Sequence, residues 1–406
     1  MKFTAVLFRQ HIGWHFKKHW HLQGKRRIID TNAVKTLKQR GIPVYEPKDI
    51  LGKKELPLIT EVPDYIPQLP KLDESHPDWH NRVCYTYKDD NVLLEGLNQA
   101  KVIIKTVELQ EGLPDKLLIG NSSVEIDRKV KRIILNSHLF DAEQQMLPKR
   151  KDPERPAWNF PRDYGVTDRR VNKLLVTKLL QLIEMISDSK TVRQRNVLHN
   201  LQFWYPFEKA GDLIQLQLRG DSLLTTSTPL SPVTTEITDE VELPDIFPVT
   251  HTVTLNTENI YKLQNIYPIN QLISRSHPHT VFIHYNPTEV KNIYEEEVTD
   301  TQILGRSLMK TFAVAATYAK QTFGDSVDIL PRPVTVQCVH TDGRLFHFGI
   351  LQLNTLNLDN DSTKNVWYQT SRIPLFTSCQ YKLGKPTLEG YNNEVIRYLC
   401  AFYNNS

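Results

Sequence analysis

The sequence predicts an α+β fold: a mixed sheet with a central hairpin covered by helices, preceded by an extended N-terminal arm. Two stretches carry that expectation. The first is PVTVQCVHTDGRLFHFGILQLNTLNLD, from Pro333 to Asp359. Val334 to His340 alternates and is rich in β-branched residues, and Leu345 to Leu353 resumes an apolar run. Phe346, Phe348 and Ile350 fall on one face, with Leu345, Leu351 and Leu353 on the other. Strands that are apolar on both faces belong between two covering layers. The second stretch, Thr301 to Phe323, supplies a cover. Leu304, Leu308, Phe312, Ala315, Ala319 and Phe323 recur there at helical spacing. Thr299 or Asp300 suits its N-cap, and Gly324 suits the left-handed position past its end. Ala313, Ala315, Ala316 and Ala319 make a small face that lets a helix approach a sheet closely. Between the hairpin strands, Asp342-Gly343 has the composition of a type I′ turn, because Gly lacks a Cβ and Asp tolerates positive φ.

In chain order, residues 1–29 hold Lys2, Arg9, Lys17, Lys18, Lys25, Arg26 and Arg27 and no acid. That composition suits a mitochondrial targeting segment, or an arm that touches RNA. No uninterrupted apolar core of a secretory signal is present. His11, His15 and His19 stand four apart, a spacing that could set zinc ligands on one helix face, but a solvated face explains it better. Residues 30–80 read as an extended strap. Seven prolines between 41 and 80 work against regular elements and leave Tyr45, Tyr65, Ile66 and Leu69 free to dock on a surface.

Residues 81–224 read as a helix-rich lobe with strands. Leu93, Leu97, Ala100, Ile104 and Val107 form one helical stripe that Gly112-Leu113-Pro114 stops. A second helix covers Ile126 to Leu139, its outer face carrying Arg128, Lys129, Lys131 and Arg132. Such a run is most often a solvated face, and its alternative is phosphate contact. Residues 148–166 make a loop of basic and aromatic character, and a third helix spans Asp168 to Ile186. Strands follow at Val197–Tyr205 and Leu213–Arg219, joined by a loop through Pro206 and Gly211. In the second, Leu216 and Leu218 alternate with Gln215 and Gln217, so one face should be wet. Residues 225–250, rich in Thr, Ser and Pro, read as a linker. Residues 251–406 then form an α+β lobe with the strand His279–Tyr285, the central hairpin and a closing helix within Glu389–Tyr403.

The bulk properties narrow the function. Four cysteines without a CxxC pair indicate neither a disulfide framework nor a zinc site. Fifty basic and 46 acidic side chains leave +4, and removing the seven N-terminal cations leaves the remainder at −3. A body of that sign does not coat nucleic acid by its own charge. Dinucleotide and phosphate loops, the GxSxG elbow and HExxH are all absent. His340 and His347 with Asp342 between them are the one local acid–base cluster, and a hydrolase or nuclease could use such a trio.

Beside that reading stands a resemblance. The hairpin TVQCVHTDGRLFHFGILQLNTLNLD, with LLEGLNQA (93–100), EGLPDKLL (111–118) and HPHTVFI (277–283), resembles the mitochondrial large-ribosomal-subunit protein 37 family. The likeness covers residues 80–406, and the TDGR segment is its most specific part. It implies a structural component of the mitochondrial large ribosomal subunit, with no enzymatic activity, catalytic residue or cofactor. It also implies a paralogous neighbour, mitochondrial small-subunit protein 30 or programmed cell death protein 9. Large-subunit proteins and rRNA are then the expected partners, the rRNA met through Lys17, Lys18, Lys25, Arg26 and Arg27 and through Arg128, Lys129, Lys131 and Arg132. The alternative is a soluble mitochondrial hydrolase or nuclease built on His340, Asp342 and His347.

Overall fold

The computed structural model describes residues 30–52 and 70–406, apart from the loop positions 118, 148, 150, 151, 153, 236–239, 271, 295, 326 and 360–362. The chain divides into one unit over residues 1–69 and a second over 70–406. Within the first, two short helices form where an extended strap was expected: α1 (Ala33–Gln39) and α2 (Pro47–Leu51). A proline opens α2 at its first turn, where its missing N–H costs no hydrogen bond.

The second unit starts with β1 (Trp79–Lys88), α3 (Leu97–Ile103) and β2 (Thr106–Glu108). Next come α4 (Val124–Leu139), the two-residue strands β3 (Gln145–Met146) and β4 (Tyr164–Gly165), α5 (Asp168–Ile186) and α6 (Ser189–Gln194). A long hairpin of β5 (Arg195–Lys209) and β6 (Asp212–Thr226) follows, then β7 (Asn256–Ile260) and β8 (His277–His284). After α7 (Asp300–Phe323) come the central strands β9 (Ile329–Thr341) and β10 (Leu345–Thr355), then β11 (Asn365–Gln369) and β12 (Ile373–Pro374). A small hairpin of β13 (Ser378–Lys382) and β14 (Lys385–Glu389) leads to the closing helix α8 (Glu394–Asn404).

Ten strands make the main sheet, in the order β2-β11-β10-β9-β8-β6-β1-β7, with β12 beside β10 and β5 beside β6. Stretches read as two lobes on either side of 225–250 therefore alternate within one sheet. β2 pairs in parallel with β11, and β6 pairs with β8 along its C-terminal half and with β1 along its N-terminal half. One apolar layer unites Val334, Val336, Leu351 and Leu353 with Leu308, Phe312 and the alanines of α7. The opposite layer unites Val339, Phe346, Phe348 and Ile350 with α4, α5 and α8. The hairpin is thus buried on both faces, as its sequence requires.

α7 starts with a capping box: Thr299 Oγ1 accepts the Gln302 N–H, and Gln302 Oε1 accepts the Thr299 N–H. It ends where Gly324 turns out at φ 95°. Gly305 of α7 meets the backbone of Gly96 at the start of α3, and a Cβ at Gly305 would lie 2.6 Å from it. Absent side chains there let the two helices cross in contact.

Four local expectations change. Leu93, Leu97, Ala100, Ile104 and Val107 are all buried, yet only Leu97–Ile103 is helical. Lys105 at φ 48° ends the helix, and Thr106–Glu108 turns into the sheet, where β11 offers a free ladder. Pro206 does not open a loop: β5 runs on to Lys209, because β5 has β6 as its one strand neighbour and Pro needs no ladder partner on the outer edge. The turn itself is Ala210-Gly211, at φ 51° and 84°. Gln215 is buried, not wet, since Nε2 donates to Lys262 O at 2.8 Å and the segment around Tyr261 covers that face.

The fourth change concerns the central turn. Asp342 is not left-handed; Gly343 alone takes positive φ, at 92°. Thr341 pairs with Phe346, so four residues bridge the strands. Asp342 Oδ1 accepts the N–H groups of Arg344 (2.8 Å) and Leu345 (2.7 Å), and Oδ2 pairs with Arg372 at 3.1 Å. An aspartate that receives three donors outcompetes the two-residue alternative, in which its carboxylate would face water.

Candidate nucleic-acid interface

Lys17, Lys18, Lys25, Arg26 and Arg27, with His11, His15 and His19, lie outside the described residues. Arg128, Lys129, Lys131 and Arg132 are exposed on α4, whose inner face buries Val130, Ile134 and Ser137. Ser123 caps the helix by accepting the Ile126 N–H. Two of the four cations are already engaged. Lys129 pairs with Glu125 at 2.9 Å across one turn, which holds the Glu125 carboxyl below its ordinary range, and Lys131 Nζ sits 4.9 Å from the centre of the Tyr391 ring. Arg128 and Arg132, one turn apart, make no salt bridge among the described residues. Lys129 is the only one of the four in an ion pair among the described residues, so this face presents Arg128, Lys131 and Arg132 as cations without a carboxylate partner.

The structure brings His340 and His347 together but leaves Asp342 out. The histidines are cross-strand partners in the hairpin. Ser307 of α7 stands between them, its Oγ 2.8 Å from His340 Nδ1 and 3.0 Å from His347 Nδ1. A hydroxyl flanked by imidazoles resembles an activated nucleophile. However, Ser307, His340 and His347 are all at most 2% exposed, and none of them lines the clefts at Tyr267, Arg306, Trp204, Thr167 or Ile396. Burial drives the His340 pKa well below its ordinary value and that of His347 down to about 3, so both rings stay neutral. The cluster is a buried polar contact that ties α7 to the sheet through Ser307 Oγ and the two Nδ1 atoms, while the Nε2 atom of each ring has no hydrogen-bond partner among the described residues.

The sequence reading passed over a second polar group. β1 and β8 meet end to end along one edge of β6, leaving the backbone near Arg219 and Gly220 without a strand neighbour there. Side chains take over the ladder. Asp89 Oδ1 accepts the Arg219 N–H at 3.1 Å, Asp221 Oδ2 accepts the His284 N–H at 2.8 Å, and Lys310 Nζ donates to Arg219 O at 2.8 Å. Arg306 donates to Asp89 O, and Lys310 also pairs with Asp89 at 2.7 Å. Burial lowers the Lys310 pKa. An Arg and a Lys one turn apart inside an otherwise apolar helix were the signal for it, since buried cations demand partners. A cleft of about 360 Å³ lined by Arg306, Lys310 and His284 opens over this junction.

The histidine cluster is closed to a substrate, and comparison with known proteins turns to ribosomal proteins. A family profile described as mitochondrial 28S ribosomal protein S30 (PDCD9) matches residues 275–406. The large ribosomal subunit protein mL37 of Gallus gallus is 26% identical over 349 residues, covering 81% of this chain and 76% of that protein. Its counterpart in Rattus norvegicus is 27% identical over 311 residues, covering 73% and 67%. For Bos taurus the figures are 27% over 318 residues, covering 75% and 69%. The chain thus resembles the mL37 proteins over most of its length. Its PDCD9-like segment holds β8, α7, the central hairpin and α8, which are the middle of the sheet and a helix on each face. The likeness to mL37 proteins extends over about three quarters of the chain, well beyond that segment.

Proposed function

We infer that this chain is a structural constituent of the mitochondrial large ribosomal subunit and serves mitochondrial translation as a scaffold, not as an enzyme. The observation that carries the inference is the likeness to mL37 proteins over about three quarters of the chain. The sealed state of Ser307, His340 and His347 supports it, because a hydrolase or nuclease needs a substrate within reach of its base. Among the described residues no helix is long and apolar enough to cross a membrane.

Finer assignments are proposals. Residues 1–29 act as the targeting segment or a basic arm, and 30–80 pass over neighbouring surface. Lys17, Lys18, Lys25, Arg26 and Arg27, with Arg128, Lys129, Lys131 and Arg132, meet rRNA. A protein of the S30 (PDCD9) type is the paired neighbour, supported by the fit of that family's profile to residues 275–406. With the body at −3, apolar contact with other subunit proteins supplies most of the attachment.

Gradient sedimentation of a mitochondrial lysate tests the central reading. The chain is expected in the large-subunit peak and to remain there after a moderate salt wash. A protein held by 6–10 phosphate contacts loses about 10³–10⁵ in affinity between 50 and 200 mM salt. Recovery of the intact chain near the top of the unwashed gradient would overturn the scaffold assignment. Full release by the wash would overturn only the apolar attachment.

A further inference from the structure

We propose that the excursion between β3 and β4 is a stacking platform for an unpaired RNA base, with Trp158 as the stacking surface. The proposal rests on the ribosomal reading above and names a contact within it. Pairing of Gln145 with Gly165 and of Met146 with Tyr164 closes the base of the excursion, and residues 154–159 within it are exposed. Prolines at 148, 153, 156 and 161 limit the freedom of its chain. A turn fixes its tip: the Trp158 N–H donates to Arg155 O at 3.0 Å.

That turn folds the Arg155 guanidinium over the indole, 5.3 Å from the ring centre. Phe160 supports the indole from the side, with centroids 5.9 Å apart and planes inclined by 51°. Trp158 is nevertheless 62% exposed. A guanidinium on one face leaves the other face of the ring free for a planar group, and every base has one.

Charge selects RNA over a protein partner. Residues 147–163 carry five cations and three acids, whereas the chain beyond residue 29 sums to −3. Lys149 is spent on the Asn159 side-chain oxygen (3.4 Å) and Arg162 on the Met146 sulfur (3.1 Å), so neither charge is neutralised. Among the described residues no carboxylate lies within salt-bridge distance of Lys149, Arg155 or Arg162. An aromatic ring set among unpaired cations matches the two parts of a nucleotide, base and phosphate.

The test is zero-length ultraviolet crosslinking of intact large subunits, followed by digestion and mass spectrometry. The peptide containing Trp158 should carry a nucleotide adduct. Trp158→Ala should cut the adduct yield about tenfold, as expected for loss of one stacked base, and Trp158→Phe should retain most of it. The same gradient fractions report incorporation, which the surface changes should leave intact. An unmodified Trp158 peptide in subunits that contain the chain overturns the proposal, as does an adduct indifferent to Trp158→Ala. A lysine-reactive crosslinker joining Lys149 to a neighbouring protein in place of the adduct overturns it in favour of a protein contact. If the chain is missing from the large subunit, the ribosomal reading falls first and the platform with it.

Discussion

Two hairpins in the same unit end on an X-Gly pair, and they are held in opposite ways. At the tip of β9–β10, Gly343 is buried, its N–H donates to Thr341 Oγ1 at 2.9 Å, and Asp342 gathers two backbone N–H groups and Arg372. At the tip of β13–β14, Lys382 pairs with Lys385 and the two residues between them are left-handed, Leu383 at φ 52° and Gly384 at φ 75°. Leu383 is fully exposed, and a Cβ on Gly384 would meet nothing within 4 Å. Where side chains converge on a tip, they choose the turn. Where none do, the twist of the strands chooses it and imposes the two-residue form even on a leucine.

The sharpest break of this comparison is Gly343→Val against Gly384→Val. At Gly343 the new Cβ would lie 2.3 Å from Asn172 Oδ1, and Asn172 is itself fixed by donating to Tyr285 O at 3.1 Å. Left-handed strain of roughly 1–2 kcal/mol adds to overpacking of about 1–3 kcal/mol. Gly384→Val carries the strain alone. Thermal unfolding of the two variants should show the larger loss at 343, together with reduced incorporation into the large subunit. Equal losses would mean that the packed tip is no more constrained than the bare one.

Asp342→Ala comes next. It removes the acceptor of two backbone donors and the partner of Arg372, at a cost of roughly 1.5–3 kcal/mol for hydrogen bonds to a charged group. No residue of the outer tip has a comparable role. A loss below that of an ordinary surface change would show that Asp342 merely occupies its turn.

How much of this was legible follows from the same contrast. The two-faced hairpin, the α7 helix with its Thr299 cap and the α5 helix from Asp168 to Ile186 were readable, because periodicity reports burial directly. The turn at Asp342-Gly343 was misread because Arg372, which claims the carboxylate, lies thirty residues downstream. Val107 was assigned to a helix because a buried stripe has the same look when it crosses from helix to strand. Ser307, the residue that turns two histidines into one contact, carries no local signal at all. Its role depends on the register of α7 over the hairpin. The exposed cations of α4 were visible as a run, but the pairing of Lys129 with Glu125 and the seat of Lys131 over the Tyr391 ring were not.

Acid separates the regions further. His279, His340 and His347 are buried and neutral, the first and last held down to about 3 and His340 well below its ordinary value, in each case chiefly by desolvation. Below an unfolded pKa of about 6.5 the unfolded chain takes up protons that the folded chain refuses. Stability should therefore be fully present above that pH and fall with decreasing pH until the folded values are reached. The limiting slope is about 1.4 kcal/mol per pH unit for each histidine. Denaturant unfolding between pH 7.5 and 5, a window above most carboxylate titrations, should show it, and a His347→Gln variant should be less sensitive. A flat profile in the parent chain would mean that these rings find water or protons in the folded state.

The smallest effect is expected at the bare tip, and its sign is opposite. Leu383 occupies a left-handed position that Asn adopts at less cost than Leu, and its side chain is fully exposed. Leu383→Asn keeps the two-residue turn, relieves the backbone and gives up no buried area. It should stabilise the free protein by roughly 0.5–1 kcal/mol, the fraction of left-handed strain that Asn removes. Differential scanning calorimetry on the isolated chain should record a small rise in Tm, with Leu383→Gly giving a smaller one because the unfolded chain gains freedom. A fall in Tm for Leu383→Asn would contradict the comparison itself. It would mean that the leucine is held by contacts within the chain, and that strand twist alone does not set this turn.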